Sequence, residues 1–175
     1  MKLKYGGTPS DCFGKSLKNI MTRTEWDNTR RTVYRKHKWT CQLCSRNSFD
    51  NNFPSHAHEE WEYKVTKNGC VRYLKEIMCL CPDCHAIKHI GRQKILLNNG
   101  RITEQQFENL QQHFADVNGI SLDDAKKMYI EGEEEAWEQI IYETEEFEVT
   151  DWKHVLPGFE IYEKRLDEVE AKTYD

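Results

Sequence analysis

The chain has 175 residues, 38% of them hydrophobic, and a formal net charge of −5, enough for one domain with a lean core and an appended subdomain. No run of about 20 apolar residues occurs, which excludes a membrane-spanning helix, and the opening MKLKYGGTPS lacks the apolar stretch of a secretory signal, so a cytoplasmic location is expected. The charge is unevenly spread: residues 1–101 hold 19 Lys and Arg against 9 Asp and Glu, whereas 102–175 hold 6 against 21, so a phosphate-rich partner suits the front half alone.

Residues 1–22 are polar and irregular, broken by Gly6, Gly7 and Pro9, and read as an N-terminal arm. TEWDNTRRTVYRKHKW predicts a helix capped by Thr24, with Trp26, Val33 and His37 on one face. Its Arg30, Arg31, Arg35, Lys36 and Lys38 form a basic surface. TCQLC (40–44) and the polar loop SRNSFDNNFPS come next. HAHEEWEYKV (56–65) then alternates His56, His58, Glu60 and Glu62 against Trp61, Tyr63 and Val65, the period of a strand. Lys67-Asn68-Gly69 is a hairpin turn signal, and CVRYLKEIMCL (70–80) carries the chain back.

A helix is predicted from Pro82 to about Ile90, stopped by Gly91. Beyond Arg101, Phe107, Leu110 and Phe114 recur at helical spacing before Asn118-Gly119, and Ser121 caps a further helix with Asp123 and Asp124 in its first turn. The tail from 143 is acidic but carries Phe147, Trp152, Leu156 and Phe159, and is expected to pack on the body of the protein or on a partner. The expected organisation is an arm (1–22), a central unit (23–101) and a helical acidic subdomain (102–175).

Seven cysteines is an odd number, and four of them form two CxxC pairs, Cys41/Cys44 and Cys81/Cys84. Each pair offers two thiolates from one tight turn, and two such turns complete a tetrahedral sulfur site for structural Zn2+. Cys12, Cys70 and Cys79 lie outside that spacing and read as ordinary thiols. With four sulfurs in place the zinc needs no histidine, yet His85 and His89 follow Cys84 at i, i+4 on one helix face. Two imidazoles there are half of a second metal site, and a histidine-bearing strand lies in the same unit.

The order CxxC, His-bearing strand, CxxCHxxxH resembles the HNH endonucleases, and more closely small standalone bacterial and phage HNH proteins. The likeness rests on WDNTRRTVYRKHKWTCQLC, HAHEEWEY, LCPDCHAIKHIGR and the weaker HFADVNG…AWEQ, and spans residues 20–156. It implies an α+β chain whose ββα-metal core is flanked by a basic helix and a mostly helical acidic region. It also implies hydrolysis of nucleic acid, DNA foremost, with one divalent ion such as Mg2+ or Mn2+.

The family's strand histidine maps to His58 as general base, and its helical histidines map to His85 and His89 as metal ligands. The position before the base is Ala57, so His56 and Glu59 are the nearby substitutes; His56 shares the strand face of His58 and Glu59 does not. An alternative makes His58 a ligand and Glu59 or Glu60 the base. The family's middle Asn has no clear match here, since Asn68 lies in the turn.

Arg30, Arg31, Arg35, Lys36, Lys38, Lys88 and Arg92, with Lys94 and Arg101, would grip phosphates without reading sequence. The competing reading is a zinc-stabilised nucleic-acid-binding or protein-interaction module without catalysis. The acidic tail is expected either to compete with nucleic acid for the basic face or to hold a protein partner.

Overall fold

The computed structural model describes residues 2–5, 16–66, 69–130 and 147–149. In chain order the elements are α1 (Leu17–Ile20), α2 (Arg23–Lys36), β1 (His56–Thr66), β2 (Gly69–Leu80), α3 (Pro82–Lys88), α4 (Ile90–Asn98), α5 (Glu104–Asn118), α6 (122–130) and β3 (Phe147–Val149). The chain is therefore α+β. Among the described residues no helix is long and apolar enough to cross a membrane.

The sequence places the cap of α2 at Thr24, but the cap is Thr22, two residues earlier. Thr22 Oγ1 accepts from Glu25 N at 3.3 Å while Glu25 Oε2 accepts from Thr22 N at 2.7 Å. This capping box satisfies two amide donors that a helix start leaves open, whereas Asp27, three residues beyond Thr24, is paired with Arg30. At the other end Lys38 and Trp39 both take left-handed backbone, with φ of 52° and 53°, and Trp39 N donates back to Tyr34 O at 2.8 Å.

β1 and β2 form the expected antiparallel hairpin, running from His56 opposite Leu80 to Thr66 opposite Gly69. The turn residues Lys67 and Asn68 lie outside the described residues. The register slips between Glu60 and Trp61, where Lys75 of β2 is left without an opposite residue. β3 adds to β2 in parallel, Cys70 opposite Phe147 through Arg72 opposite Val149. The rest of the acidic tail, with the carboxylates of 131–146, lies outside the described residues.

The helix expected over 82–90 is two helices. α3 closes at Lys88, His89 takes φ −122° and ψ 42°, and α4 begins at Ile90. Gly91 sits in the first turn of α4 and does not stop anything, because a glycine ends a helix through left-handed φ at its end, and that role falls to Gly119 after α5, with φ 67°. Thr103 and Gln106 give α5 a second capping box, and Ser121 Oγ accepts from Asp124 N at 3.1 Å, as its spacing predicts.

One core cluster joins Leu3, Cys41, Met78, Leu80, Cys81, Cys84, Ile87, Phe114, Ala115 and Ala125. It crosses the boundaries that the sequence suggests near residues 22 and 101, so arm, hairpin and rear helices share one interior. Tyr5 stacks on Phe114 with ring centroids 3.9 Å apart and planes at 7°, and its hydroxyl donates to Ala125 O at 3.1 Å. Phe114 is fully buried, so truncation to Ala would cost about 3–5 kcal/mol. A second cluster, Leu17, Ile20, Met21, Leu74 and Ile77 with Trp26, Val33, Ala57 and Trp61, packs α1 and α2 on one face of the hairpin. The other face of β1 is left to α3.

Candidate metal centres

The two CxxC turns meet. Sγ atoms of Cys41, Cys44, Cys81 and Cys84 all lie within 4.8 Å of one another, a set that could hold a metal ion such as zinc. The first turn closes through Ser45 N to Cys41 O and Cys41 N to Arg46 O, both 2.9 Å, with Ser45 at φ 63°. It docks on β2 by a two-way bond: Gln42 N donates to Cys79 O at 3.0 Å, and Cys79 N donates to Gln42 Oε1 at 2.7 Å. Cys79 is buried beside the set without joining it. Cys12 and Cys70 lie outside the described residues and side chains. The second turn is the start of α3: Cys81 is its cap, its sulfur accepting from Cys84 N at 3.3 Å, and Pro82 follows where no amide is needed.

Four thiols so close cannot all ionise unaided. Contacts with Cys41, then Cys81 and Cys84, hold the Cys44 thiol below its ordinary value, while contacts with Cys41 and Cys44 push Cys81 and Cys84 above theirs. A cation among them removes that conflict. Arg46 supplies part of a positive field: Nη2 lies 3.0 Å from Cys81 Sγ and 2.5 Å from Asp83 Oδ2. His113, on α5, brings Nε2 within 3.2 Å of Cys84 Sγ. Asp83 is next to Cys84 and Arg46 is two residues beyond Cys44, so both lie within the cysteine turns themselves. His113 lies 29 residues beyond Cys84, and no local pattern marks it.

The second cluster is made of histidines. His56 and His58 stand on the same face of β1, and α3 presents His85 and its end residue His89 across from them. The ligand nitrogens of His58, His85 and His89 fall within 4.8 Å of one another, a second set that could hold an ion. Ring centroids are 5.5 Å apart for His58–His85, and 4.9 Å for both His58–His89 and His85–His89. His56 joins from the side, its Nδ1 3.0 Å from His85 Nδ1. Burial, then the neighbouring imidazoles His89, His58 and His56, lower the pKa of His85 to about 3; burial first, then His58, lowers His89 to about 4. Burial also lowers His56. Neutral imidazole is the form that donates a lone pair to a metal.

His58 is buried, and Nε2 lies 3.2 Å from Glu60 Oε2. Glu60 also takes the Lys88 ammonium at 2.8 Å. The bond to His58 first, then Lys88 against the cost of burial, lowers the Glu60 carboxyl to about 2. His58 Nδ1 is buried without a hydrogen-bond partner in the protein. An unpaired buried ring nitrogen beside two other imidazoles is what a ligand position looks like before its ion.

Glu59 is not with these groups. Its carboxylate receives Leu17 N at 3.0 and 3.1 Å and Trp61 Nε1 at 3.2 Å, on the face covered by α1. Of the cations expected to grip phosphate, Lys88 is committed to Glu60 with a side chain 14% exposed, and Arg30 to Asp27 at 2.7 Å. Arg31, Arg35, Lys36, Lys38 and Arg92 are exposed. A scan against protein-family models, a search of curated proteins and a search of solved structures each returned no match.

Proposed function

We propose that this chain is a metal-dependent nuclease of the HNH kind that hydrolyses phosphodiester bonds of DNA, with Zn2+ at the four cysteines. The observation that carries the reading is the histidine set: His58, His85 and His89 converge at the mouth of the hairpin, with an unpartnered buried nitrogen on His58. These three would hold the ion, and an all-imidazole donor set suits Zn2+ or Ni2+ better than Mg2+, which prefers oxygen. Such an ion supplies positive charge for the scissile phosphate and the departing oxygen.

The residues around it divide the remaining work. Glu60 holds His58 by Nε2 and so fixes its tautomer. His56, kept neutral by burial, is the proton acceptor for the attacking water; this differs from the family pattern, which gives that role to His58. Glu59 serves the fold at the start of α1. Arg31, Arg35, Lys36, Lys38 and Arg92 draw in the phosphate backbone.

The test is nicking of supercoiled plasmid by purified protein supplied with Zn2+, Ni2+, Mn2+ or Mg2+, beside His58→Ala and His56→Ala variants. Metal-dependent nicking lost in both variants supports the reading. A wild-type protein that retains plasmid without cutting it under any of these ions would leave a binding module instead.

A further inference from the structure

Phe49 is 71% exposed, more than any other large hydrophobic side chain among the described residues, ahead of Ile95 at 58% and Ile130 at 56%. It does not stand alone: its ring centroid is 5.3 Å from that of half-buried Trp39, the planes tilted by 53°. The pair sits where α2 runs into the first cysteine turn, immediately after exposed Arg35, Lys36 and Lys38, with Asp50 the adjoining opposite charge.

The backbone beneath the pair is held in an unfavourable form. Lys38 and Trp39 are consecutive left-handed residues with side chains, a conformation ordinarily left to glycine. Asn47 fixes it: Nδ2 donates to Lys38 O at 2.8 Å and to Thr40 Oγ1 at 3.0 Å, and Oδ1 accepts from Phe49 N at 2.9 Å. Ser48 N donates to Trp39 O at 2.9 Å. One side chain thus ties the end of α2 to the loop that carries Phe49, and the aromatic pair is set in place before any ligand arrives.

We propose that Trp39 and Phe49 form a stacking platform for an unpaired base of single-stranded nucleic acid, with Arg35, Lys36 and Lys38 neutralising the phosphates on either side. Aromatic rings interleaved with cations recognise single strands because every base has a π-face and the backbone tracks the charge. A duplex hides those faces in its own stack and meets the cations only. The charge next to the rings selects this occupant over an apolar protein surface. The inference rests on the nucleic-acid part of the reading above and not on cleavage.

The experiment measures anisotropy of labelled oligothymidine and oligouridine of about 12 nucleotides, and of a duplex of about the same length, at low salt with no added divalent ion. Wild type is compared with Phe49→Ala and Phe49→Tyr, since an exposed position tolerates both changes without unfolding. Phe49→Ala is expected to weaken single-strand binding about tenfold and duplex binding less than about twofold, while Phe49→Tyr stays at wild type. A loss confined to oligothymidine or to oligouridine supports the platform and shows which of the two strands it takes. Equal losses on single strand and duplex, or no loss on either, overturn it, the latter leaving the patch to a protein partner. Single-strand preference in a protein that never cuts plasmid would sustain the platform and sink the nuclease.

Discussion

Glu60 Oε2 lies 3.2 Å from His58 Nε2, and the carboxylate accepts that ring proton. An ionised carboxylate has no proton to give, so in this contact Nε2 is the donor, and His58 Nδ1 is left buried without a partner in the protein. That bond to His58 and the half-buried Lys88 ammonium against the same carboxylate keep it charged. A strand residue two positions along thus sets the chemistry of the one before it, which the period of two allows.

Glu60→Gln follows from that contact. The amide can offer either a donor or an acceptor to Nε2, so the tautomer is no longer enforced and Lys88 loses its counter-ion. Affinity at the histidine set is expected to fall about 10–100-fold, with the cysteine-bound ion retained. Co2+ titration, followed by the separate visible bands of thiolate and imidazole sites, reads both. Unchanged affinity at the nitrogen site would remove Glu60 from this role.

His85→Ala takes one ligand from the histidine set and none from the sulfur set. Cleavage is expected to drop to background while one metal ion per chain remains by elemental analysis. A variant that cuts at the wild-type rate would put the chemistry elsewhere in the molecule.

Cys84→Ser removes a ligand that is also fully buried in the main core. The binding energy of a structural ion is folding energy, so the melting temperature should fall steeply and the metal content with it. Chelation of wild type should reproduce that loss, and a melting temperature insensitive to both treatments would rule out a structural role for the four sulfurs.

Tyr5 gives the alkaline limit. Burial pushes its phenol up to about 12 from the ordinary 10.0, so its contribution to stability is complete below pH 10 and is lost as the pH climbs through 12. Tyr5→Phe keeps the stack on Phe114 and loses the bond to Ala125. It should cost about 1 kcal/mol at neutral pH and flatten the fall in stability between pH 10 and 12, as measured by urea unfolding across that range.

The sulfur set could be read from spacing alone, because both CxxC turns are local. The hairpin was equally legible, from the alternation of His56, His58 and Glu60 and from Asn68-Gly69. His58 was singled out, but its function as ligand or base turned on where Glu60 and Lys88 point, which depends on α3 lying across β1. Alternation along β1 already puts Glu60 on the face of His58 and Glu59 on the other, and the structure sends one to Leu17 and the other to His58. The break at His89 escaped notice because Gly91 looks like a stop, and residues near a helix end carry little signal of which one departs. Arg46 reaches Cys81 only when the two cysteine turns meet, and His113 reaches Cys84 only when α5 packs on α3.

The second CxxC turn and the paired histidines share one short helix: Cys81 and Cys84 open α3, His85 follows Cys84 directly, and His89 caps its end a turn later. A seven-residue helix has little stability of its own, so where an ion closes the sulfur set it also winds the segment that gathers the imidazoles. If both sets take ions, the two centres would mature in order, sulfur before nitrogen. On the nuclease reading proposed above, a newly made chain starved of zinc would therefore stay harmless to nucleic acid, and the supply of one trace element would decide when the molecule becomes a working whole.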